Sequence, residues 1–244
     1  MAAQEVFKRV EKKFMLDEKQ YRRIREVIDE KMTVDAFGLS TISNIYYDTE
    51  DYSMIRRSIE GPVYKEKLRL RGYGTVKPDS ELYMEIKKKY QGVVFKRRQP
   101  VTVRDGHSWF TGLTKAPKDT QIAREIQYMK EFYHPEPKVM IAYDRIALFG
   151  NEDHELRITF DFDIRFRTEA LDLTKGSWGQ PLLPGKNILM EVKIPGAFPL
   201  WLLRAIEELH IHQTHFSKYG TCYEKYLSHG SAPKNLLFLE RRGA

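Results

Sequence analysis

Residues 63–73 read VYKEKLRLRGY, with Lys65, Lys67, Arg69 and Arg71 at every second position. Alternate residues of a strand share a face, so these four side chains form one cationic row while Leu68 and Leu70 point the other way. Like charges about 7 Å apart repel unless solvent or an anion lies between them. A polyanion is the natural partner of such a row.

The alternation returns with mixed charge. In LRITFDFDIRFR (156–167), Leu156, Ile158, Phe160, Phe162 and Ile164 fall on one face, and Arg157, Thr159, Asp161, Asp163, Arg165 and Arg167 on the other. In ILMEVKIPG (188–196), Ile188, Met190, Val192 and Ile194 oppose Leu189, Glu191 and Lys193. ELYMEIKKKY (81–90) groups Glu81, Tyr83, Glu85, Lys87 and Lys89, and VVFKRR (93–98) adds Lys96 and Arg98. Any one of these is satisfied by an antiparallel strand with one wet face. Together they could equally line a single interior.

The 244 residues suit one large domain,. With 41 Lys+Arg against 34 Asp+Glu the chain carries net charge +7, which favours anionic partners without specifying nucleic acid,. Cys222 is the only cysteine, which excludes an intramolecular disulfide or a cysteine zinc site and points to a reducing compartment, the cytoplasm by default,. The start MAAQEVFKRVEKKF lacks the apolar core of a signal peptide, and no run approaches the roughly 18 apolar residues that cross a bilayer,.

VFKRVEKKFML reads as a strand, and Asp17 with Gln20 as a capping pair before a helix carrying Tyr21, Ile24, Val27 and Ile28,. TISNIYYDT is a second strand, followed by a short helix through Tyr52, Met54 and Ile55. Segments 63–72, 81–90 and 93–101 form a meander, and 105–133 a helical insert with Ile122, Ile126, Met129 and Phe132 as its apolar stripe,. Strands resume at KVMIAYDRIALF, at 154–167 and at 187–194, and two helices finish the chain: PLWLLRAIEEL and the segment after Phe216. Many strands with few helices predict an α+β fold, a closed antiparallel β-barrel with helices packed outside. One domain over 1–228 and a C-terminal tail over 229–244 are expected, with Leu236 to Leu239 docking on some surface,.

Arg9-x-Glu11-x-Lys13-Phe14, NIYYDT, LRLR, EIKKK, YDR, LRITFDFDI, EVKIPG and FSKYG, in this order, resemble the polyphosphate polymerase domain of the vacuolar transporter chaperone family, one of the triphosphate tunnel metalloenzymes. The resemblance spans about residues 5–226. It implies an eight-stranded tunnel whose wall binds ATP, inorganic polyphosphate or triphosphate, helped by Mn²⁺ or Mg²⁺. Carried over position by position, Lys13, Arg69, Arg71, Lys87, Arg145 and Arg157 are the catalytic cations. Lys96, Tyr143, Ser217 and Lys218 join them in binding substrate, and Glu191 holds the metal.

The chemistry of these side chains agrees. Arginine grips phosphate oxygens bidentately and lysine supplies a point charge, and Ser217 with Lys218 sits near a helix start, where free N–H groups favour an anion. A hard cation takes oxygen ligands and can use one or two carboxylates plus phosphate. Glu11, ranked first, and Glu85, Asp161 and Asp163 are further metal candidates or else counter-ions to neighbouring cations. The wider superfamily begins Glu-x-Glu-x-Lys; here Arg9 replaces the first glutamate, which favours charged phosphate chains over a second metal.

The three histidines His210, His212 and His215 lack the i, i+4 spacing of a helical metal pair, and Trp109, Trp178 and Trp201 read as packing residues,. No Gly-x-x-x-x-Gly-Lys-Ser/Thr loop is present, which excludes a P-loop enzyme,. The expected activity is transfer of the γ-phosphoryl of ATP to a growing polyphosphate chain. A triphosphatase of the same fold and a non-catalytic polyphosphate-binding module are the rivals. RNA is disfavoured because the aromatics fall mostly on apolar faces.

Overall fold

The computed structural model describes residues 10–91, 93–111, 114–116 and 118–228; Arg9 and the tail 229–244 lie outside the described residues. Strand β1 (Val10–Leu16) stops at Asp17, whose carboxylate accepts the Gln20 backbone N–H while the Asp17 N–H donates to the Gln20 side chain. This reciprocal cap opens α1 (Glu18–Asp29),. Ile24 and Ile28, one turn apart, are fully buried, worth about 2 kcal/mol each.

After β2 (Met32–Val34) and β3 (Ser40–Asp48), the buried Asp48 carboxylate accepts the backbone N–H groups of Met54 and Ile55 and so starts α2 (Ser53–Glu60). The meander β4 (Tyr64–Tyr73), β5 (Glu81–Tyr90) and β6 (Val93–Thr102) follows. The helical insert is two helices, α3 (Val103–Phe110) and α4 (Gln121–Tyr133). In α4 the buried stripe is Ala123, Ile126 and Met129, whereas Phe132 is 61% exposed and stacks on Tyr128. Then come β7 (Glu136–Gly150), β8 (Arg157–Arg167), β9 (Gln180–Pro181), β10 (Ile188–Ile194), α5 (Leu200–Glu208), β11 (Gln213–Thr214) and α6 (Lys218–Cys222), which runs on as a π-helical turn, Tyr223–Leu227.

The strands form one antiparallel sheet in the order β11-β1-β10-β8-β7-β3-β4-β5-β6, with β2 beside β7 and β9 beside β8. It has eleven strands, not the expected eight, because the short β2, β9 and β11 join the eight long ones. Nor is it a closed barrel: the path ends at β6 and β11. The physical reason lies at β1. One of its edges pairs with β10, and on the other Lys13 and Phe14 pair with Thr214 and Gln213 of β11, the place a closing strand would take. The sheet nevertheless curls, since Lys87 on β5 acts electrostatically on Glu11 of β1 with five strands between them in the path.

Two apolar clusters cover the convex side. Leu68, Leu70, Met84 and Ile86 pack with Trp109 and Ile126 under α3 and α4. Phe14, Leu16, Ile158, Phe160 and Met190 pack under α1 and α5. A third cluster lies on the concave side, where Tyr46, Ile141, Tyr143 and Leu189 meet Ile55 of α2 and Tyr219 and Cys222 of α6.

Strand β8 departs from strict alternation. Ala142 stands opposite Arg165 but Asp144 opposite Phe162, so β8 carries an extra residue, and Asp163 takes φ 43° to accommodate it,. Beyond this bulge the faces exchange. Ile164 and Phe166 turn into the concave cluster, and Arg165 pairs with Asp144 and Asp163. Arg167 donates to the carbonyls of Ala170, Asp172, Gly176 and Trp178. Asp163, Arg165 and Arg167 therefore do not share the face of Arg157, Thr159 and Asp161.

Candidate functional site

The concave face is organised around buried carboxylates. Glu85, 1% exposed, accepts Arg69 Nε at 2.7 Å, has Arg71 Nε at 3.7 Å, and has Lys96 Nζ 2.8 Å from Oε1 but outside hydrogen-bonding geometry. Burial raises the Glu85 carboxyl, but Arg69, Arg71 and Lys96 outweigh it and bring it down to about 2,. Fully buried Asp161 receives Arg145 bidentately at 2.5 and 2.8 Å, and Lys218 Nζ at 2.5 Å. These two carboxylates are counter-ions that hold five neighbouring cations in place.

Glu191 differs. Lys13, Arg145, Lys193 and Lys218 surround it at 3.4, 3.6, 3.6 and 3.7 Å. Burial would raise its carboxyl, yet Lys218 and the other three cations hold it well below the usual range. Glu11 lies 3.6 Å from the same Lys13 ammonium, and its carboxyl is lowered because Lys87 and Lys193 outweigh burial.

A row of lysines crosses three strands: Lys67 of β4, Lys87 of β5 and Lys96 of β6 are directly paired positions. Burial, then Lys87, Lys65, Lys13 and Arg69, push the Lys67 ammonium down to about 7. Burial is also the first cause for Lys87, which is lowered, and for Lys96, down to about 8. Among the described residues neither Lys67 nor Lys87 has a carboxylate within ion-pair distance; Lys67 donates to Ser217 Oγ at 3.2 Å.

The expected phosphate ligands are thus brought onto one face: Lys13, Arg69, Arg71, Lys87, Lys96, Tyr143, Arg145, Ser217 and Lys218. Arg71 donates to the Asn44 side chain at 2.9 Å and to the Tyr143 hydroxyl at 3.2 Å. Burial raises the Tyr143 hydroxyl, but Arg71, Arg145 and Lys218 bring it down to about 8. Ser217 caps α6 by accepting the Gly220 N–H, and Lys218 lies 4.4 Å from the Tyr143 ring centre. Arg157 shares the face but stands at its exposed end, opposite Lys193. Lys67 and Lys193 belong to the constellation although neither is in the expected set; Lys67 was legible from its place between Lys65 and Arg69. Lys65 reaches away, to the Ser58 carbonyl.

Glu191 and Glu11 fit a divalent cation that arrives with phosphate. Every cation around Glu191 stands at 3.4 Å or more, beyond direct hydrogen bonding,. Opposite Glu191 on β8, the Thr159 hydroxyl is buried without a hydrogen-bond partner. Oxygen donors are therefore present and uncommitted. Among the described residues no group of three His, Cys, Asp or Glu could hold a metal unaided, so further ligands come from an anion or water,.

Among the described residues no helix is long and apolar enough to cross a membrane. In fold the chain is similar to a candidate adenylate cyclase from Bacillus halodurans, with TM-score 0.54 and 10% identity over 85% of this chain and 92% of that one. It is similar also to a candidate adenylyl cyclase from Hippeastrum that has a dominant triphosphatase activity, with TM-score 0.53 and 14% identity over 95% of this chain and 99% of that one. No curated protein matches the sequence. The VTC domain model matches residues 8–227, nearly the whole described chain. With its ordered motifs laid on one curled, cation-rich sheet, the chain belongs to the VTC domain family.

Proposed function

We propose that the protein is a divalent-metal-dependent polyphosphate polymerase, with ATP as phosphoryl donor. The observation that carries this reading is the three-strand row of Lys67, Lys87 and Lys96 beside Arg69 and Arg71. Like charges on directly paired strand positions are destabilising, and burial adds to the cost of charging them. A row built at such expense is explained by a polyanion that neutralises it.

In the reaction a terminal oxygen of polyphosphate attacks the γ-phosphorus of ATP, the bond to the β-bridging oxygen breaks, and ADP leaves. The chain lengthens by one phosphate. Such transfer needs positioning and charge neutralisation more than covalent help. Lys13, Lys67, Arg69, Arg71, Lys87 and Lys96 hold the phosphates in line, and Arg145, Arg157, Ser217 and Lys218 complete the binding face. Glu191 and Glu11 are the carboxylates that would hold Mn²⁺ or Mg²⁺, which supplies charge neutralisation at the transferring group.

Hydrolysis is the second reading, favoured by the triphosphatase activity of the Hippeastrum protein of similar fold. Incubating the protein with ATP and Mn²⁺ and resolving the products by phosphorus NMR separates the possibilities. Internal polyphosphate resonances support the polymerase, orthophosphate alone the triphosphatase, and neither product a binding module.

A further inference from the structure

Past Arg71 the concave face of β4 and β5 changes character. Tyr73 follows Arg71 by two residues and Tyr83 precedes Glu85 by two, so both share the face of the cationic row,. Arg71 stands opposite Tyr83, and Arg98 of β6 opposite Glu85. The two tyrosine rings meet edge to face with centres 6.0 Å apart. The Arg71 guanidinium lies 5.9 Å from the Tyr73 ring centre and that of Arg98 4.6 Å from the Tyr83 ring centre. Tyr73 is 44% exposed. Arg98 is exposed too and, among the described residues, has the Tyr83 ring rather than a carboxylate as its partner.

A phosphate chain continuing from Arg71 along β4 would leave the lysines behind and approach Glu81, the carboxylate that accepts the Tyr83 hydroxyl. Repulsion disfavours phosphate there. A flat uncharged ring system finds the opposite: two aromatic surfaces and a guanidinium, groups that stack on any base because every base has a π-face. Successive rows on this face are two residues, about 7 Å, apart, so Tyr73 stands one row beyond Arg71, and Tyr83, level with Arg71, leans toward it through its contacts with Tyr73 and Glu81.

We propose that Tyr73, Tyr83 and Arg98 form a nucleobase subsite for a nucleoside triphosphate whose phosphates run from Arg71 toward Lys67 and Lys87. The subsite rests on the phosphate-binding reading of the row and gives it a direction, with the base at the Tyr73 end and the terminal phosphate toward Lys87 and Glu11. Because stacking carries the recognition, GTP follows ATP closely.

The test is calorimetric titration of the parent, Tyr73→Leu, Tyr83→Leu and Tyr73→Phe with ATP and with tripolyphosphate, the base-free reference. In each leucine variant ATP affinity falls roughly tenfold, the scale of one lost aromatic stack, and the ratio of ATP to tripolyphosphate affinity falls with it. Tyr73→Phe keeps the ring and the ratio. A parallel loss for both ligands, or an unchanged ratio in both leucine variants, overturns the subsite while leaving the phosphate row intact. A parent that binds neither ligand overturns the row's function, and the subsite with it.

Discussion

The Lys67 ammonium donates to the Ser217 hydroxyl at 3.2 Å, joining β4 to the start of α6 across 150 residues of chain. A neutral hydroxyl is a weak partner for a buried cation, which is why burial and the neighbouring cations bring Lys67 down to about 7,. At pH 8 the free protein therefore holds Lys67 largely deprotonated, and a bound phosphate recharges it. Tripolyphosphate binding at pH 8 takes up protons, read as a calorimetric heat that changes with the ionisation enthalpy of the buffer. Lys67→Met lowers that dependence, and Lys96 and Tyr143, each at about 8, keep the remainder. The sign for stability runs the other way: the unfolded lysine keeps its proton to about 10.5, so this residue makes the free fold more stable as pH rises from about 7 toward 10,.

Arg157 and Arg69 respond differently to truncation. Arg157 is exposed, so Arg157→Ala leaves thermal unfolding unchanged and lowers tripolyphosphate affinity roughly tenfold to a hundredfold, the worth of a charge-assisted hydrogen bond,. Arg69→Ala lowers affinity by a similar factor, but it also leaves Glu85 with fewer partners and lowers the unfolding midpoint. Equal thermal shifts in the two variants would contradict this division.

Glu191→Gln preserves shape and removes the negative charge a hard cation needs. Turnover of ATP with Mn²⁺ collapses, while tripolyphosphate affinity without metal holds or rises, because a carboxylate inside the anion site has gone. Unchanged turnover in this variant would remove Glu191 from the metal site.

Asp161→Asn takes the nearest carboxylate from Arg145 and Lys218 and leaves them Glu191 at 3.6 and 3.7 Å. Breaking a buried pair in this way costs about 3–5 kcal/mol, read by denaturant unfolding of the free protein. Saturating tripolyphosphate recovers part of the loss, since phosphate re-partners both cations.

The eight long strands and the inward cationic row were legible because each depends on nothing but alternation: Lys67, Arg69 and Arg71 fall on one face of β4 whatever surrounds them. The α1 cap at Asp17 and Gln20 was equally local. The rest depended on contacts distant in sequence. Gln213 and Thr214 look like loop until β1 offers them an edge. Asp163 looks like one more inward acid, and only its pairing with β7 reveals the extra residue that turns Arg165 outward. Within the site, the division of the carboxylates was also hidden: Glu85 and Asp161 became counter-ions and Glu191 stayed uncommitted through which cations the curl brought near each.

The pairing of β11 with β1 makes β11 and β6 the two ends of the wall, with no strand pairing between them. A ring must be threaded, so its cargo needs a free end. A wall whose two end strands share no ladder bonds is not such a ring, and it can part along that line without breaking a strand pair.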